Sequence, residues 1–172
     1  MKNTIKNFIV QNDEIQNDML RNKLFDVNIR LFRSNKKHRN LILNIVNYME
    51  KVAKKKFRDY TPARGISAAN VGIPFNIIGV KSDRKWNFFL NPKYIETSLK
   101  KKWVKSNCGS LLLEKPIEIE RYVWVKISYY NLKGVLCVKR FKDSYGCTIQ
   151  HELEHNQGIL IIDKKRNDAP MA

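Results

Sequence analysis

Two histidines four residues apart, with a glutamate beside the first, carry the strongest chemical signal in this chain: His151-Glu152-Leu153-Glu154-His155. On a helix, i,i+4 spacing stacks the two imidazoles on one face and leaves Glu152 next to them. Two imidazoles and a third protein ligand suit zinc or ferrous iron. A water in the fourth position then becomes a nucleophile of lowered pKa, and Glu152 can take its proton as general base.

A polar helix can also carry two histidines by chance, so the third ligand decides. Metzincin proteases place a histidine six residues after the second; here that position is Ile161, although Gly158 matches their glycine. No Glu follows His155, and only Asp163 and Asp168 remain downstream as ligand candidates. The better candidate lies upstream. Ser106-Asn107-Cys108-Gly109-Ser110 reads as a tight turn or bulge of small polar residues that could present a thiolate and free backbone N–H groups, the alternative being a buried loop cysteine. Three cysteines at spacings unlike a disulfide framework fit a reducing compartment, with Cys137 and Cys147 as packing residues.

Elements must position these groups. Leu41, Ile45, Tyr48, Met49 and Val52 recur at helical spacing, predicting an amphipathic helix over roughly residues 36–56 with a Lys-rich outer face. Pro62 breaks that segment, and Gly65 to Gly72 follow as a small-residue loop or edge strand. Asn76 to Val80 and Trp86 to Leu90 predict a hairpin closed by Asn91-Pro92, and Val123 to Tyr130 with Val135 to Phe141 predict another. From about Ser144 to Gln157 the pattern is helical, with Gly158 as the stop, and Ile159 to Ile162 read as a strand. Strands in the middle and a helix near each end predict an α+β domain rather than alternating βαβ units.

At 172 residues, 43% hydrophobic and 28% charged, the chain is the size of one globular domain, residues 1–172, with no linker or repeat. No apolar run approaches the roughly 20 residues of a membrane span and the first residues lack the apolar core of a secretory signal, so a cytoplasmic location is expected. A formal net charge of +17 favours polyanionic partners, RNA or ribosomes above all, although Lys54-Lys55-Lys56 and Lys100-Lys101-Lys102 also read as solvated faces.

Three motifs in order resemble those of the peptide deformylases, which remove the formyl group from the N-terminal methionine of new proteins. The family's Gln-His-Glu-x-Asp-His-Leu-x-Gly is matched by Gln150-His151-Glu152-Leu153-Glu154-His155-Asn156-Gln157-Gly158. Its Glu-Gly-Cys-Leu-Ser corresponds to Ser106-Asn107-Cys108-Gly109-Ser110, and its glycine-rich first motif to Ala63-Arg64-Gly65-Ile66-Ser67-Ala68-Ala69-Asn70-Val71-Gly72. The resemblance implies mixed or antiparallel sheets around a C-terminal helix that carries the metal motif. It implies one divalent metal, usually Fe2+ with Zn2+ or Ni2+ as substitutes, on Cys108, His151 and His155, and Glu152 as the base.

It also implies an oxyanion site made by the Gly109 N–H and the side chain of Asn70, where the family has the longer Gln. A formylated nascent peptide would lie against Arg64, Gly65, Arg121, Cys147 and Thr148. With Ser106 and Asn107 in place of the family's Glu and Gly, Arg121 is expected to lose its carboxylate partner. Two alternatives stand beside this reading: a hydrolase of the same fold redirected to another small amide or peptide, and a non-catalytic ribosome- or RNA-binding protein.

Overall fold

The computed structural model describes residues 20–56, 65–83, 85–111 and 115–164. A short helix, α1 (Ile29–Ser34), is capped by Asn28, whose side chain accepts from the Leu31 N–H. The longer α2 (Lys36–Lys56) follows, with the Asn35 side chain accepting from the His38 N–H at 3.0 Å. Its buried stripe is Ile42, Ile45, Val46, Met49 and Ala53, whereas Leu41, which the periodicity placed on the inner face, is half exposed. Ile45 and Met49 point inward as expected, and Ile42, Val46 and Ala53, each one residue after an expected contact, complete the stripe.

Seven strands follow: β1 (Gly65–Ser67), β2 (Ile77–Ser82), β3 (Lys85–Thr97), β4 (Lys101–Ser106), β5 (Ile117–Tyr122), β6 (Trp124–Tyr130) and β7 (Leu136–Lys142). Five form an antiparallel sheet in the order β1-β2-β3-β6-β7, while β4 and β5 form a separate two-stranded ribbon. Both predicted hairpins are present. However, Asn91-Pro92 does not close the first: β3 runs on to Thr97 through a register shift between Leu90 and Lys93, with Asn91 at φ 50°. A bulge tolerates the missing proline N–H, and the Asn91 side chain uses the kink to pair with both backbone groups of Val27.

Helix α3 (Asp143–His155) carries the His-Glu-x-x-His motif and ends two residues before the predicted Gln157, with a turn leading to Gly158. Gly158 takes φ 75°, and a Cβ there would run into the Arg21 carbonyl, so glycine is required twice over. The strand expected at Ile159 to Ile162 is not one: Ile161–Lys164 form a 3-10 turn, with Asp163 ion-paired to Arg21. A four-residue apolar run does not separate strand from buried turn.

The two faces of the large sheet define two cores. Ile77, Trp86, Phe88 and Leu90 face the α2 side, while Ile78, Val80, Phe89, Val125, Ile127 and Phe141 face Ile149 and Leu153 of α3. Strands β2 and β3 are thus covered on both sides by helices, which is why they read as continuous apolar runs. The result is α+β, as the sequence implied.

Candidate metal centre and active site

Helix α3 is buried nearly all round. Ile149 and Leu153 seat one side on the sheet, and the i,i+4 spacing brings His151 and His155 out on another, rings edge to face at 4.6 Å between centroids. The third donor comes from the ribbon: β4 ends at Ser106, and the turn that follows aims the Cys108 sulfur at the two imidazoles. Its Sγ lies 3.3 Å from His155 Nε2, which lies 3.2 Å from His151 Nε2, and the three donor atoms all fall within 4.8 Å of one another.

These spacings fit a metal ion. With zinc-like bond lengths, donors on one tetrahedral ion sit about 3.3–3.6 Å apart, and here they are 3.2 and 3.3 Å apart. One thiolate with two imidazoles suits Fe2+ or Zn2+. Burial lowers His155 to about 4, with Arg121 adding to the effect, and drives His151 well below its ordinary value for the same reason and through its neighbour His155. Both rings therefore stay neutral, as ligands must. Burial raises the Cys108 thiol to about 11, against the backbone N–H groups of Ser110 and Leu111 that stabilise a thiolate. A divalent ion would displace that proton.

Glu152 sits next to this cluster and against β1. A Cβ on Gly65 would collide with the Glu152 carboxylate and with the Thr148 methyl group, so the glycine lets the strand approach the base. Burial raises Glu152 to about 8; Arg121 opposes this and Glu154 adds to it. Its Oε2 is buried with no hydrogen-bond partner among the described residues.

Asn70 lies in the 3-10 turn Ala68–Val71 that follows β1. Its Oδ1 accepts from the Ser67 N–H at 2.7 Å and its Nδ2 donates to the Ser110 hydroxyl at 2.6 Å. The shorter side chain is therefore buried between the first and second motifs. Ser110 belongs to the Cys108 turn, so one amide ties the two loops of the site together.

Arg121 departs most from expectation. It is not left without a carboxylate: Nη1 lies 2.5 Å from Oε1 of Glu154, and only 1% of the side chain is exposed. The residue in the third motif that is one methylene longer than the family's Asp supplies the partner, and the guanidinium is buried with it. Cys147 and Thr148 are half-buried on α3, one turn before His151 and Glu152. Arg64 lies outside the described residues. Gln150 had no assigned role, yet its amide makes both backbone bonds to Tyr122 of β5, at 2.9 and 3.0 Å. Its position next to His151 was the signal.

A family model for polypeptide deformylase matches residues 9–170, and the chain belongs to that family. A peptide deformylase of Caulobacter vibrioides is 30% identical over 119 residues, 64% of this chain and 68% of that one. Other curated peptide deformylases align over about three fifths of their length. Among solved structures, the peptide deformylase of Plasmodium falciparum is 28% identical with a TM-score of 0.75, covering 93% of this chain and 85% of that one. A class I type b peptide deformylase of Acinetobacter baumannii with Met-Ala-Ser bound is 20% identical with a TM-score of 0.77, covering 93% of this chain and 98% of that one; its likeness concerns the fold.

Membership makes this chain a metal-dependent hydrolase, and formyl removal from nascent peptides is the activity its homologues support over the two alternatives. The family implies a catalytic divalent metal, for which Cys108, His151 and His155 form a suitable group. No described helix is long and apolar enough to cross a membrane.

Proposed function

We propose that this chain hydrolyses the N-terminal formyl group of formyl-methionyl peptides in the cytoplasm and releases formate, with Fe2+ held by Cys108, His151 and His155. The observation that carries the reading is the convergence of Sγ and two Nε2 atoms beside the buried Glu152, whose Oε2 has no hydrogen-bond partner among the described residues. When bound, the ion supplies Lewis acidity and a water of lowered pKa.

The chain supplies the rest. Glu152 takes the proton of the attacking water at its carboxylate and passes it to the leaving amine. Burial raises this carboxyl to about 8 in the metal-free site, and the positive charge of a bound ion would bring it back toward the ionised form that a base needs. The Gly109 N–H and the Asn70 amide are the donors assigned to the developing oxyanion, and loss of either should cost about 10²–10³ in rate.

Strand β1 pairs only with β2 among the described residues, so its other edge, beside Thr148 and Glu152, is free to hydrogen-bond an extended peptide. Cys147 and Thr148 would frame the first side chain. The +17 charge supports docking on ribosomes, which salt should weaken steeply.

Anaerobic formate release from formyl-Met-Ala-Ser by Fe2+-loaded protein tests the activity. Turnover of that peptide with none of acetyl-Met-Ala-Ser is expected. No formate from fully loaded protein would reject this substrate and favour a redirected hydrolase.

A further inference from the structure

The Cys108 sulfur must meet two imidazoles that belong to a different element, and an error of about half an ångström at such a site is enough to impair it. The ribbon that delivers the cysteine is not hydrogen-bonded into the large sheet as a strand. It meets α3 through Tyr122, packed on the cluster that holds Ile149 and Leu153, and through a short set of polar contacts. Gln150 clamps the Tyr122 backbone, and the neighbouring Arg121 reaches Glu154 at 2.5 Å. Glu154 lies next to His155, and its Oε1 also receives Lys164 of the C-terminal 3-10 turn. Glu154 is thus the point where ribbon, metal helix and final turn meet.

The pair is buried, with 1% of the Arg121 side chain and 7% of the Glu154 side chain exposed. Such a pair contributes little net stability once desolvation is counted, and its best-attested use is to fix one arrangement among several. Two atoms sharpen the point: Arg121 Nη2 and Glu154 Oε2 have no hydrogen-bond partner among the described residues. The pair makes a single short contact along the line that joins the ribbon to the helix. The second motif offers no carboxylate to share the task, since Ser106 and Asn107 stand there.

We propose that Glu154 is a positioning residue: by holding Arg121 it sets the ribbon, and hence the Cys108 sulfur, at ligand distance from His151 and His155. The inference rests on the metal reading of the site and adds a residue to it that touches neither metal nor substrate.

The test uses the full chain and Co2+, whose thiolate charge-transfer band reports the cysteine bond directly. Glu154→Gln keeps the volume and removes the charge. It should weaken Co2+ binding about 10- to 100-fold, the usual effect of losing a partner behind the ligands, and should shift or reduce the thiolate band. Arg121→Met with Glu154→Gln removes the pair without stranding a buried charge, so it should fold even where the single variant does not, and it should show the same weakened binding and altered band. Parent-like affinity with an unchanged band in either folded variant would overturn the proposal. If the parent chain itself bound no Co2+, the metal reading would fall, and this inference with it.

Discussion

Helix α3 and the β4–β5 ribbon deliver parts of one site, yet they are held by different physics. The helix is anchored by Ile149 and Leu153, fully buried against Ile78, Val80, Phe89, Val125 and Ile127. Each such side chain contributes about 1.5–3 kcal/mol by leaving water. The ribbon has alternating half-buried and exposed residues along β4, with Val104 and Ile119 reaching the main core, and is tied to the helix through Gln150 and Arg121. Packing thus fixes the two histidines, whereas the cysteine is fixed by the burial of Cys108, Leu111 and Ile119 in the main core together with hydrogen bonds and an ion pair to the helix. The glutamate and histidines can sit in a rigid frame while the third donor is adjusted through Gln150, Arg121 and Glu154.

The largest effect that sharpens this contrast comes from removing a donor on each side. Cys108→Ala and His155→Ala should each abolish stoichiometric metal binding, measured by metal analysis after dialysis. Full occupancy in either would break the three-donor assignment.

Untying the ribbon comes next. Gln150→Ala strands the Tyr122 backbone groups and should cost about 1–3 kcal/mol. Amide exchange should speed up across β4 and β5 while α3 keeps its protection. Equal acceleration in both would mean that the two regions open as one.

The smallest effect is electrostatic and belongs to chelated protein. Glu152 is raised to about 8 in the fold from a usual 4.5, so between those values the folded chain holds a proton that the unfolded chain has lost, and stability falls as pH rises. The two histidines are lowered, so their contribution instead grows as pH rises toward 6.5. Glu152→Gln should therefore raise the melting temperature more at pH 8 than at pH 5. A gain that did not depend on pH would place the charge of Glu152 outside the cause.

The same contrast explains what was legible in the sequence. The metal helix showed itself through i,i+4 spacing, and helix α2 and both hairpins through apolar period and turn residues, because each of these buries a continuous face. The ribbon strand Lys101–Ser106 did not: Lys101, Lys102 and Lys105 flank the adjacent Trp103 and Val104, and neither face is fully covered. Cys108 was reached through chemistry and motif resemblance rather than through its strand. The Arg121–Glu154 pair joins residues 33 positions apart on elements whose docking no local pattern encodes, and the altered second motif pointed to an unpaired arginine instead. The fixed place of Asn70 between Ser67 and Ser110 likewise depends on how two loops meet.

The central claim is that Glu152 moves the proton while Cys108, His151 and His155 hold the metal, and Fe2+-loaded Glu152→Ala tests it most directly. The account predicts one metal per chain, as in the parent, with formate release from formyl-Met-Ala-Ser lower by at least about 10²-fold. Parent-like turnover in a fully loaded variant would contradict it.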